Sequence, residues 1–154
     1  MRKQTLTLLC SLLLLLPVVA SADAGSEPAP SERVDAKQVT ADYNTAYRQL
    51  KAGDYKTAIK SFKRVIRADP NHAMAYTNMA YSYRQLGDYK KAVKLYEKAL
   101  ALAPNLPEAH EYMGEALLAL GDIEAAKKHL AILEKLDPKL AEELRADIAR
   151  RERS

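Results

Sequence analysis

The chain has one cysteine, Cys10, so it can form no internal disulfide and no cysteine-built zinc site. It has no tryptophan, one phenylalanine and five glycines among 154 residues. With β-branched residues also scarce, a β-sandwich or barrel is disfavoured. Neither sign of charge dominates: 24 Lys and Arg against 20 Asp and Glu give +4, too little to imply a nucleic-acid partner. At 48% hydrophobic and 29% charged, the composition excludes both a disordered chain and a multi-span membrane protein. The length suits one domain.

The first segment reads as an address. Arg2 and Lys3 precede an apolar run from Leu6 to Ala20, unbroken from Leu12 to Leu16, and the small residues Ala20, Ala22 and Ala24 follow. Basic, apolar and small in that order is the pattern of a secretory signal peptide, over residues 1–22 with cleavage after Ala22 or Ala24. The run includes Pro17 and falls short of the roughly 20 apolar residues of a membrane span. Only if it were retained as an anchor would it put the chain in contact with a membrane. Leu8 and Leu9, rather than small residues, precede Cys10, which argues against lipid attachment there. Residues 23–38 are rich in Pro, Ser and charge and read as a flexible leader. The expectation is export, to a periplasm or beyond the cell.

The remainder repeats. Gly53-Asp54, Gly87-Asp88 and Gly121-Asp122 recur every 34 residues, as do Pro70, Pro104 and Pro138, and Ala58, Ala92 and Ala126. A fixed period of this size means stacked copies of one supersecondary unit. In the middle copy, Tyr76, Met79, Ala80 and Tyr83 mark the apolar stripe of a helix over 75–86. Gly87 then supplies a left-handed helix stop and Asp88 a cap for the next helix. That helix carries Ala92, Val93, Tyr96, Ala99 and Leu100 and ends at Ala103, before Pro104. Helices of about 14 residues are marginal alone and must bury their stripes against one another.

These residues resemble the tetratricopeptide repeat family. The copy at 73–106 carries the pattern most fully, through Tyr76, Met79, Ala80, Tyr83, Leu86, Gly87, Ala92, Tyr96, Ala99 and Pro104. The copy at 107–140 has His110, Met113, Gly114, Leu117, Leu120, Gly121, Ala126, Leu130, Leu133 and Pro138. The copy at 39–72 matches in its second helix but has Asp42 and Gln49 where the family has aromatics. A further helix, 139–151, with Leu140, Leu144 and Ile148 on one face, suits a solubilising cap. The fold expected is an all-α solenoid of three helix-turn-helix hairpins and a C-terminal capping helix, and the resemblance is to an exported bacterial member of the family.

The resemblance implies a concave groove, lined by the first helix of each repeat, that takes a protein or peptide segment. Projected onto this chain, the groove carries Tyr43, Asn44, Tyr47 and Lys51, then Thr77, Asn78, Tyr81 and Arg84, then Glu108, Glu111, Tyr112 and Glu115. One family mode grips a C-terminal carboxylate with Lys and Arg in the third repeat. Glu108, Glu111 and Tyr112 stand there in this chain, which argues against that clamp.

Catalysis and cofactors find no support. His72, His110 and His129 are far apart in sequence and show no metal-ligand spacing, and His110 occupies a core position of the repeat. Ser61 and Ser82 lack a nucleophile-elbow context. Glu108, Glu111 and Glu115 share a helical face, but carboxylates there read as solvated. The Gly-Asp turns lack EF-hand spacing.

Charge, finally, is polarised: residues 39–106 hold 12 basic and 5 acidic side chains, residues 107–154 hold 8 and 11. The basic excess lies on second helices, at Lys56, Lys60, Lys63, Arg64 and Arg67, and at Lys90, Lys91, Lys94 and Lys98. It reads first as a solvated outer face. The alternatives are an electrostatic tether to an anionic membrane or polymer, and head-to-tail assembly with a second copy of the chain.

Overall fold

Gly87, Gly53 and Gly121 hold the left-handed backbone their spacing anticipates, with φ of 79°, 77° and 85° in the computed structural model. This structure describes residues 35–153; the expected signal peptide, and the leader as far as residue 34, lie outside the described residues. Among the described residues seven helices follow one another: α1 (Ala36–Lys51), α2 (Tyr55–Ala68), α3 (Ala73–Gln85), α4 (Tyr89–Leu102), α5 (Pro107–Leu120), α6 (Ile123–Leu136) and α7 (Pro138–Glu152). There is no strand among the described residues. Neighbours in sequence pack as neighbours in space, and first helices also touch across repeats, α1 on α3 and α3 on α5. This is the helical solenoid expected.

The hairpin turn is one device used three times. The glycine amide donates to the carbonyl three residues back, Gly87 to Arg84 at 2.9 Å, and the next amide reaches five back, Asp88 to Tyr83 at 3.0 Å. That pair of bonds satisfies the last carbonyls of the first helix and needs a residue at positive φ between them. The aspartate then turns its side chain to the following helix, Asp54 accepting from the Thr57 amide, Asp88 from Lys91 and Asp122 from Ala125, at 3.0 to 3.2 Å. Two residues thus end one helix and begin the next.

Between repeats the chain leaves the helix through extended residues, Asp69, Ala103 and Asp137, each amide still donating to the carbonyl four back. Asp137 also caps α7, its carboxylate accepting from the Lys139 and Leu140 amides, so α6 and α7 have no linker between them. Helix α1 starts at Ala36, inside the stretch expected as leader, because Asp35 accepts from the Lys37 amide at 2.9 Å and supplies a cap. The expected start of the middle copy's first helix also moves, from residue 75 to Ala73, where the His72 ring takes the capping role.

Small residues set the spacing. Ala46, Ala58, Ala80, Ala92, Ala99, Ala116 and Ala126 are wholly buried, and Phe62, Tyr96 and Leu133 fill between them. Gly114 of α5 lets Leu144 come close: a Cβ built there would lie 2.6 and 2.8 Å from the two Leu144 methyls of α7. Leu144 and Ile148 are almost fully buried in the same cluster as Met113, Leu117 and Leu133, and Leu140 packs against it. The apolar face of α7 is therefore covered by the third hairpin, as a cap requires.

Candidate functional site: a tyrosine-lined groove

Helical periodicity puts residues three and four apart on one face. On α1 that brings Tyr43, Tyr47 and Lys51 together, on α3 Asn78, Tyr81 and Arg84, and on α5 Glu111, Tyr112 and Glu115. Stacking of the hairpins lays these three rows side by side. At one end, the Tyr43 ring lies 4.7 Å from the His72 ring and 6.3 Å from Tyr47, stacked on both. Its hydroxyl accepts a hydrogen bond from the Asn78 amide at 2.8 Å, which ties the first repeat to the second. Burial raises the Tyr43 phenol above its ordinary range and the Tyr47 phenol adds to this, while the Asn78 bond pulls the other way. Tyr47 itself is 42% exposed. Beside it a cavity of about 210 Å³ is lined by Tyr47, Leu50, Lys51, Tyr55, Asn78, Tyr81 and Tyr112.

The middle is a packed array of rings around one cation. Tyr81 lies 6.3 Å from Tyr55 and 5.1 Å from Tyr112, and Tyr112 is 6.5 Å from the buried Tyr96. The Arg84 guanidinium sits 5.0 Å from the Tyr81 ring centre and 5.2 Å from that of Tyr112, and it forms an ion pair with Glu115. Partial burial makes both the cation–π and the ionic contact stronger than they would be in water. A second cavity of about 430 Å³ continues from Arg84 and Glu115 along Leu118 and Ala119 to Asp147, Arg150 and Arg151 of α7.

Glu111 is the electrostatic anomaly of the site. It is only 5% exposed, and burial pushes its carboxyl up to about 7. The neighbouring carboxylates of Glu115 and Glu143 push in the same direction, and Arg84 opposes them. Burial, followed by the charge of Glu111, likewise raises the Tyr112 phenol.

Several expected groove residues are placed differently. Thr77 is buried, and its hydroxyl donates to the Ala73 carbonyl at 3.1 Å, so it is not a groove residue. Asn78 is 8% exposed and works mainly as an internal strut, although it borders the smaller cavity. The three glutamates do not act as one solvated face: Glu108 is exposed, Glu111 is buried and Glu115 is paired with Arg84. Asn44 and Lys51 are exposed. Tyr55 and Leu50 line the groove without having been expected to. Tyr55 follows the first Gly-Asp turn directly, so its position beside the turn was the available signal, and only the packing of α2 against α3 turns it toward Tyr81. Arg150 and Arg151 enter through α7, which the repeat pattern does not cover.

No nucleophile-base pair is assembled at the serines: the Ser61 hydroxyl accepts from Arg64, and that of Ser82 donates to the Asn78 carbonyl. His110 is held in the interior, one ring nitrogen 2.9 Å from His129 Nδ1 and the other 2.8 Å from the Pro104 carbonyl. Among the described residues, no group of three or more His, Cys, Asp or Glu could hold a metal ion, and no helix is long and apolar enough to cross a membrane.

Comparison with known proteins follows the same lines. Two tetratricopeptide repeat family models match, one over residues 43–107 and one over 83–148, and together they span more than two thirds of the chain. No curated protein matches the chain. Among solved structures, the first tetratricopeptide domain of Spaghetti (RPAP3), bound to the HSP90 peptide SRMEEVD, is similar at a TM-score of 0.71 and 28% identity, over 78% of this chain and 97% of that one. The second such domain of human RPAP3, in complex with the HSP70 peptide SGPTIEEVD, gives 0.68 and 28%, over 73% and 96%. The Yersinia enterocolitica type III secretion translocator chaperone SycD gives 0.68 at 20% identity, over 77% and 92%, a likeness of fold. The 34-residue turns, the seven-helix stack and the two family models agree: the chain belongs to the tetratricopeptide repeat family.

Proposed function

We propose that this protein is a non-catalytic adaptor, exported to the cell envelope, that holds a segment of another protein in the groove between α1, α3 and α5. The observation that carries the reading is the row of rings Tyr47, Tyr55, Tyr81 and Tyr112 around an open cavity of about 210 Å³. Tyrosines there offer rigid apolar area with a hydroxyl at the edge, the combination that binds a peptide at low entropic cost. Lys51 and the rim of the Arg84–Glu115 pair add charges of both signs. The two RPAP3 domains that share 28% identity with this chain are bound to peptides in their structures, which supports a protein-interaction role.

The end of the groove differs from what an acidic C-terminus would need. On α5, Glu108, Glu111 and Glu115 stand near the site, and Arg84 is already engaged by Glu115. A partner whose segment carries hydrogen-bond donors and apolar side chains, without a terminal carboxylate to anchor, fits these groups best. Export rests on the sequence of residues 1–24, basic, apolar and then small.

The test is capture of a partner from envelope extract by the immobilised full chain. Tyr47→Ala combined with Tyr81→Ala is expected to lose the partner while helicity by circular dichroism is retained. Unchanged capture by that variant overturns groove recognition. Sequencing the N-terminus of the protein recovered from cells checks export independently, with residue 23 or 25 expected first and Met1 counting against cleavage.

A further inference from the structure

The outer side of the first hairpin carries a feature the groove does not use. Helix α2 has five cations and no acidic residue in its 14 positions. Four of them, Lys60, Lys63, Arg64 and Arg67, lie at i, i+3, i+4 and i+7 and so share one face. They are exposed, and among the described residues none of the four forms an ion pair. They surround a crevice of about 480 Å³ whose remaining lining is Ile66 and Met79. The four exposed cations, the half-buried Ile66 and the nearly buried Met79 together line an amphipathic crevice. Helix α4 extends the charge with four more lysines against a single glutamate.

We infer that this face docks on an anionic phospholipid surface, with lipid phosphates on the α2 cations and the edge of the headgroup region against Ile66 and Met79. Like charges held 5–6 Å apart along a helix repel one another unless counter-anions lie between them. A sheet of lipid phosphates supplies those anions to every position at once. The crevice has no aromatic side chain, whereas single-stranded nucleic acids are held by aromatic stacking. The groove tyrosines belong to α1, α3 and α5 and to the start of α2. The chain's surface thus separates two chemistries, a ring-lined groove for a polypeptide and a cationic crevice for phosphate. The inference does not depend on the groove reading, because it uses none of the groove residues.

The experiment is co-sedimentation of the full chain with vesicles of phosphatidylcholine alone or with 30% phosphatidylglycerol, read as the ratio of binding to the two. The apolar N-terminal segment is common to every variant, so changes in that ratio report the folded part. Each basic side chain near an anionic surface contributes about fivefold. Lys60→Ala, Lys63→Ala, Arg64→Ala and Arg67→Ala together should therefore lower the ratio at least 50-fold, and 0.5 M salt should do the same to the wild type. Removing Lys128, Lys135 and Lys139 on α6 and α7 should change it less than tenfold. Exchanging Lys for Arg and Arg for Lys at the four α2 positions should preserve it, which separates lost charge from lost folding. A ratio unchanged by the fourfold alanine variant overturns the inference. So does binding abolished by inorganic phosphate but not by chloride of equal ionic strength, which would mark a free-anion site. Tighter binding to a DNA duplex than to the anionic vesicles also overturns it.

Discussion

The Asn78 side-chain amide donates to the Tyr43 hydroxyl at 2.8 Å across 35 positions of sequence, joining the first helix of one repeat to the first helix of the next. Asn78 is buried and Tyr43 half-buried, so water has limited access to the bond. Tyr43→Phe leaves the amide without this acceptor and is expected to cost about 1–2 kcal/mol in denaturant unfolding. Tyr43→Phe combined with Asn78→Leu removes both partners and should cost less than the two single changes added together. Simple additivity would show that the bond does not couple the repeats.

Gly114 and Leu144 make a second coupling, through exclusion. Leu144 is only 1% exposed, so its methyls have little room to retreat from a Cβ at residue 114. Gly114→Ala should destabilise by about 1–3 kcal/mol, although alanine is intrinsically the better helix former by up to about 1 kcal/mol. In a Leu144→Ala background the clash is gone, and the same change should become neutral or stabilising. Thermal unfolding of the four proteins reads the sign directly.

The turns and the core answer to different forces. Nothing lies within 4 Å of a Cβ built at Gly87, so Gly87→Ala pays only the left-handed backbone, about 1–2 kcal/mol. Ala92, fully buried, has no such space, and Ala92→Leu should overpack the hairpin by about 1–3 kcal/mol. Lys90→Ala, on the exposed face of the same helix, should stay within about 0.5 kcal/mol. Unfolding midpoints out of this order would contradict the packing described.

Stability should depend on pH through two groups that act in opposite senses, the buried Glu111 and the half-buried His129. The Glu111 carboxyl is raised from an ordinary 4.5 to about 7, so the folded chain holds a proton that the unfolded chain releases. The contribution of Glu111 to stability therefore falls as pH rises from about 4.5 to about 7, and Glu111→Gln should remove up to about 3 kcal/mol of that loss at pH 8. His129 is depressed from 6.5 to about 4, first by burial and then by His110. The unfolded chain binds its proton earlier, so the contribution of His129 falls as pH drops from about 6.5 to about 4. The two slopes cancel between about pH 4.5 and 6.5, so melting temperatures from pH 3.5 to 8.5 should show a broad, shallow maximum there for the wild type. The alkaline fall should be absent from Glu111→Gln and the acid fall reduced in His129→Gln.

The helices, their order and the glycine-aspartate turns could all be read from the sequence. Each depends on chemistry within about five residues, and the 34-residue period shows it three times. The start of α1 was misplaced because the leader and the helix share a polar composition, and the single cue was Asp35, an ordinary aspartate in a run of charge. The row of first-helix positions, Tyr43, Tyr47, Tyr81 and Tyr112 among them, came from the resemblance to the repeat family projected onto the 34-residue period, which by itself says where helices recur and not which face receives a ligand.

Which of those side chains face outward depends on how far each hairpin rotates against the next, a sum of many small contacts that no local pattern records. That rotation buried Thr77, made Asn78 a strut, set Arg84 between two rings and brought Tyr55 in from a second helix. It also left Glu111 under α7 beside Glu143, where burial rather than sequence raises its proton affinity. Local chemistry determined the elements, and the angle at which they stack decided what the groove is made of.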